Sequence, residues 1–228
     1  MLKTITKLLC FVMLLVLSEQ VLAQKVKIDS TLNSKLGIAL NIGTTPGLSV
    51  AYRISPALSA RLDGSFLKYN LQTTLDLSDE QLSLGGDISM QMFTLAAEYF
   101  PFKKSSFKLV GGATYINQGK AAVSVGPKST YTYGESSFTP EEIGKMDFSA
   151  DYGKSIAPFA AIGFGRTIPK RRIGVGAEFG LLYTKAPAVS LTGTERLSDM
   201  NEQEVLVQEN MKDWRFFPVV NIKVAIRL

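Results

Sequence analysis

The last ten residues, Val219-Val220-Asn221-Ile222-Lys223-Val224-Ala225-Ile226-Arg227-Leu228, decide the fold. Side chains alternate across a strand. Val220, Ile222, Val224, Ile226 and Leu228 therefore share one face, opposite Val219, Asn221, Lys223, Ala225 and Arg227. One face is wholly apolar and the other mixes charge with small residues; a helix would scatter both sets around its axis.

The same period runs upstream. Leu36, Ile38, Leu40 and Ile42 oppose Lys35, Gly37, Ala39 and Asn41, and Leu48, Val50, Tyr52 and Ile54 oppose Ser49, Ala51 and Arg53. Ile173, Val175, Ala177, Phe179, Leu181 and Tyr183 oppose Gly174, Gly176, Glu178 and Gly180. Segments near 58–69, 88–100, 106–117 and 155–167 fit less strictly, and the last is apolar on both faces, so its register stays open. Eight strands result.

Their connectors alternate. Residues 55–57, 101–106 and 168–172 are short, while 70–87, 118–154 and 185–213 are long; only 44–46 breaks the pattern. The expectation is an all-β, eight-stranded, antiparallel, up-and-down transmembrane β-barrel with short periplasmic turns and long extracellular loops. A soluble sandwich or lipocalin-like barrel has the same period with the apolar face turned inward. Three features favour the membrane. The apolar faces are almost free of polar interruption. Aromatics gather at strand ends, with Tyr99, Phe100, Phe102 and Phe107 near short turns and Tyr69, Tyr115, Tyr183, Trp214 and Phe216 near long loops. The final strand runs to the last residue, ready to close a ring against the first.

Residues 1–23 read as a signal peptide. Lys3 and Lys7 precede the ten-residue apolar run Leu8 to Leu17, and Val21-Leu22-Ala23 places cleavage after Ala23. A membrane anchor would need about 18 or more apolar residues. Residues 24–228 are then one barrel domain. Subtracting Lys3, Lys7 and Glu19 from 25 basic and 20 acidic residues leaves 23 and 19, and Cys10, the one cysteine, goes with the leader.

The chain has no His. Imidazole zinc sites and Ser-His or Cys-His nucleophile pairs are therefore absent, and the expectation is a non-enzyme with no metal and no cofactor. Gly174-Val175-Gly176 with Gly180 has its third glycine one position too far for a dinucleotide fingerprint and lies within a strand. Basic residues are scattered without interleaved aromatics, which argues against nucleic acid as a partner.

With the apolar faces outward, eight charges point inward: Arg53, Arg61, Asp63, Glu98, Lys108, Glu178, Lys223 and Arg227. The interior of an eight-stranded barrel just holds side chains, and an unpaired buried charge costs several kcal/mol. A packed ion-pair network is the favoured reading and a charge-lined solute pathway the other. A turn symmetric about Lys103 would set Glu98 directly opposite Lys108. The long connectors are acidic and the short ones basic, as expected of loops outside and a basic rim against anionic headgroups inside. Leu197, Met200, Val207, Met211 and Trp214 recur at helical spacing, as in a short amphipathic helix on the rim or a docking face.

These features resemble the small outer-membrane β-barrels of the OmpA/OmpW type, in particular Bacteroidetes-like, Gram-negative members. The resemblance rests on the strand pattern, on Phe138-Thr139-Pro140-Glu141-Glu142-Ile143-Gly144, and on Ala157-Pro158-Phe159 leading into Gly163-Phe164-Gly165. It rests also on Phe217-Pro218-Val219-Val220 opening the strand that ends Ile226-Arg227-Leu228, where such barrels usually end in an aromatic. It implies outer-membrane localisation among lipid and lipopolysaccharide, with delivery by the outer-membrane assembly machinery. The function expected is structural or passive, extending to a narrow, porin-like conduit for small or apolar solutes. The alternative is a surface-binding module, or an accessory subunit with an envelope protein partner, acting through the long loops.

Overall fold

The period-two segments close into a ring in the computed structural model, which describes residues 35–228 except 78, 79, 104, 134 and 135. The leader and its cleavage point lie outside the described residues. The strands are β1 (Leu36–Gly43), β2 (Gly47–Ser55), β3 (Leu58–Leu77), β4 (Glu80–Tyr99), β5 (Phe107–Pro127), β6 (Tyr131–Tyr133), β7 (Ser136–Phe138), β8 (Met146–Asp151), β9 (Ser155–Phe164), β10 (Ile173–Tyr183), β11 (Ala188–Gly193) and β12 (Phe216–Arg227). Eight of them pair antiparallel in the order β1-β2-β3-β4-β5-β9-β10-β12, and β12 returns to β1 through seven register pairs from Gly37↔Arg227 to Gly43↔Asn221. Closure leaves the eight-stranded ring without a free edge.

Burial follows the alternation. β9 alternates buried and exposed throughout, with Ser155, Ala157, Phe159, Ala161 and Gly163 inward, which settles the register that sequence left open. That strand ends at Phe164 rather than 167. Gly165, at φ 89°, opens the following turn in the left-handed region that a side chain disfavours.

The expected long loops are corrected in part. Residues 70–77 and 80–87 continue β3 and β4 as one long hairpin, and 118–127 continue β5. Beyond Ile116, β5 exchanges β9 for β8, which pairs in turn with β11. A five-stranded sheet, β3-β4-β5-β8-β11, thus stands on one side of the ring. The sequence concealed this because its apolar alternation changes phase. Asn117 is an extra residue in β5, between the pairs Met92↔Ile116 and Gln91↔Gln118, and its side-chain amide donates to Gln91 Oε1 at 2.7 Å.

Polarity inverts at that level. Around the ring, outward positions are apolar, up to Phe66 on β3, Phe93 on β4 and Tyr115 on β5. On β10 this stretch runs from Ile173 to Tyr183, about 33 Å along the strand and about 25 Å high at a tilt near 40°. Aromatic pairs mark both margins: Phe66–Phe93 and Tyr183–Phe216 at one, Phe107–Phe164 at the other. Phe100 is not part of this margin; it is buried inward beneath the Arg166 guanidinium, 3.9 Å from the ring centroid. Past the upper margin the outward face becomes polar, with Asn70, Asp87, Ala122, Ser149 and Ser190 in one cross-strand row and Gln72, Gly85, Ser124, Asp147 and Thr192 in the next.

The helical spacing in 195–213 appears as a 3-10 helix at Glu195–Gln203 running into an α-helix at Glu204–Asn210. It lies along the edge of β11 rather than on the ring's rim. Backbone N–H groups of Val189, Leu191 and Gly193 donate to Gln208 Oε1, Glu204 Oε2 and Asn201 Oδ1 at 2.8, 2.9 and 2.6 Å. Three helix side chains stand in for a neighbouring strand.

Candidate functional site

Six of the eight inward charges converge near the middle of the ring. Arg61, on β3, spans the interior. Its Nη1 donates to Glu98 Oε1 and Glu178 Oε2, both at 2.8 Å, its Nη2 to Glu178 Oε1 at 3.0 Å, and its Nε to Asp63 Oδ2 at 2.9 Å. Lys108 Nζ lies 2.7 Å from Glu98 Oε1 and 2.9 Å from Glu178 Oε2. Lys223 Nζ reaches Glu178 Oε2 at 3.1 Å. Three bases meet three acids, so the cluster is neutral, and each of the six residues is buried.

Small neighbours make the room. Ala51 and Ala96 flank Arg61 in register. Gly163 lies between Lys108 and Glu178, where a methyl group would strike the Ala177 carbonyl and press on Lys108 Cε. The inward glycines therefore let long charged side chains reach across the ring.

The Glu98–Lys108 contact exists, but with another register. Glu98 stands opposite Val110, so Lys108 meets it diagonally, because the turn is not symmetric about Lys103. Arg53 and Arg227 do not join. The Arg53 guanidinium donates to the Ile168 carbonyl at 3.4 Å near the short-turn end, and the two arginines sit close enough to repel. Among the described residues neither forms an ion pair.

Sequence reasoning missed Thr167. Folded in from the turn after β9 and 1 % exposed, it donates through Oγ1 to Glu98 Oε1 at 2.7 Å. Nothing in its sequence context marks it, since the turn alone brings it there. Above the cluster, Asn41 bonds Ser49 and Thr45 bonds Asn221 on one side, while Met92, Ile116, Phe159, Leu182 and Val219 pack on the other. Between them lies a cavity of about 20 Å³, lined in part by Asp63 and Glu178. That is room for a water molecule, not a passage. Chemically, the arrangement packs the interior with paired charge; among the described residues no group of His, Cys, Asp and Glu could hold a metal ion.

Fold and interior together define a β-barrel filled with side chains. The chain is similar to crystal structures of CarO2 and CarO of Acinetobacter baumannii, outer-membrane β-barrel proteins. CarO2 matches at a TM-score of 0.62 and 19% identity over 85% of this chain and 98% of the other. CarO matches at 0.62 and 19% over 88% and 100%. At that identity the likeness is one of fold. No protein-family model matches the sequence, nor does any curated protein sequence.

Proposed function

We propose that this chain is a small integral barrel of the Gram-negative outer membrane with a passive, non-enzymatic role, closed to bulk solute flow. Its short turns and basic rim face the periplasm, and its five-stranded sheet stands outside the cell. One observation carries the closure: a neutral six-charge cluster, buried and bonded from wall to wall, fills the ring at mid-height. The apolar band and its aromatic margins support the membrane placement, since such a surface in water would be a patch far larger than soluble proteins tolerate. A conduit for hydrated solutes would have to break several charge-assisted bonds at once, so the narrow-conduit reading is the weaker one. The environment this implies is outer-membrane lipid and lipopolysaccharide, reached through the assembly machinery.

Planar-bilayer recording of the full chain tests the closure. The unaltered protein should give no stepwise conductance, whereas Arg61→Ser, which removes the crossing guanidinium, should give small events. Steady open-channel steps from the unaltered protein would defeat the reading. A second reading, a surface-binding module, is favoured by a separate cleft on the sheet.

A further inference from the structure

The outward face of the five-stranded sheet holds a cleft of about 390 Å³, within the range that small ligands occupy. Its floor is cut low by Gly85 and Ala122, and its sides carry Asn70, Gln72, Asp87, Lys120, Ser124 and Asp147. We propose that this cleft is a saccharide-binding site, taking a short run of sugar residues across β4, β5 and β8.

The chemistry of the walls selects the ligand. A sugar hydroxyl both donates and accepts, so it needs neighbours of both kinds within one reach. Here amides offer both, hydroxyls adapt, Asp87 and Asp147 accept, and Lys120 donates. Asp147 remains an ionised acceptor, because the Ser124 hydroxyl and then the Lys145 ammonium hold its carboxyl below the usual range.

Other ligands fit worse. An anion would meet one lysine among two carboxylates. The two carboxylates lie in different rows and on non-adjacent strands, too scattered to cage a cation. A peptide adding as a strand would need an open edge, whereas β4, β5 and β8 are paired on both sides here. An apolar ligand would find the wrong face of the sheet.

Position suggests a source. Asn70 and Gln72 lie four and six residues past Phe66 on β3, about 13 and 20 Å along the strand and so about 10 and 15 Å above the apolar band at the same tilt. A glycolipid of the leaflet holds its sugars at that height. The glycolipid source rests on the membrane placement proposed above; saccharide recognition does not.

The test uses the full chain with two probes: core oligosaccharide freed of lipid, offered to protein in detergent, and intact lipopolysaccharide in nanodiscs beside phosphatidylglycerol nanodiscs. Ala122→Tyr fills the floor and Asp147→Ala removes an acceptor. Both should keep the gel mobility and circular dichroism of the folded protein, and the second guards against a floor variant that fails to fold. Saturable oligosaccharide binding, at least tenfold weaker in a folded variant, supports a site that reads sugar from any source. Preference for lipopolysaccharide nanodiscs alone, abolished by the same variants, supports the glycolipid source. Binding that neither variant weakens, or no binding of either probe, overturns the proposal. Should Val224→Cys label freely from water while the oligosaccharide still binds, the membrane placement fails and the saccharide site stands.

Discussion

Glu178→Gln is the sharpest single perturbation of the interior. The carboxylate accepts from Arg61 Nη1 and Nη2 at 2.8 and 3.0 Å and contacts Lys108 and Lys223 Nζ at 2.9 and 3.1 Å. A glutamine oxygen can keep about half of these, and its NH₂ then faces a cation. Two lost hydrogen bonds to charged groups amount to about 3–6 kcal/mol. Breaking a buried ion pair costs about 3–5 kcal/mol, so about 3–5 kcal/mol is expected. At a urea dependence of about 1–3 kcal/mol per molar, the unfolding midpoint should fall by at least about 1 M. Lys223→Met alone leaves one surplus anion. The double variant keeps two bases, Arg61 and Lys108, against two acids, Asp63 and Glu98, and regains neutrality. It should therefore be milder than the summed singles by about 1–3 kcal/mol. Urea unfolding in detergent, read by gel mobility and circular dichroism, supplies the cycle. Additivity within about 0.5 kcal/mol would show that the two side chains share no charge and would refute the reasoning.

Val224→Cys should resist aqueous maleimide in folded protein, and Ile222→Lys, opposite Ala177 near the middle of the apolar stretch, should cost about 2–4 kcal/mol. Replacing Asn201, Glu204 and Gln208 by Ala exposes the edge of β11; faster hydrogen exchange at Val189, Leu191 and Gly193 and concentration-dependent self-association should follow. Asp147 has a lowered pKa in the folded protein, so its stabilising effect is full above its ordinary value of 3.8 and is lost as pH falls through the lower folded value. Exchange protection of β8 should decline over that acid range, and Asp147→Asn should flatten the dependence.

The ring was legible because its evidence is local. Strands with one apolar face announce themselves within ten residues, as β1, β2, β10 and β12 do. Parity alone also named the inward charges, but not which of them meet. Arg53 and Arg61 look alike in sequence, and only the tilt and stagger of the closed ring carry one to Glu178 and the other to Ile168. The sheet above the ring was hidden for two reasons. Its polarity is the reverse of the strand below it, so long strands read as short ones followed by loops. Asn117 then shifts the phase of β5 by one, which breaks the alternation a reader follows. Thr167 was beyond reach for another reason: a turn of irregular backbone carries no period from which its direction could be read.

The neutral cluster also bears on how the chain must be built. Its six charges come from five strands: Arg61 and Asp63 on β3, Glu98 on β4, Lys108 on β5, Glu178 on β10 and Lys223 on β12. The β4–β5 hairpin holds Glu98 against Lys108, and the β3–β4–β5 arm sets two bases against two acids, but both lack the Glu178 carboxylate that Arg61 grips with two nitrogens. Lys223 arrives with β12, the strand that zips to β1. Every open-ended intermediate must therefore keep water inside, and the interior can dry only when the seam shuts. Ring closure and dehydration become one event, so a half-zipped chain stays wet and reversible until its last strand is in place.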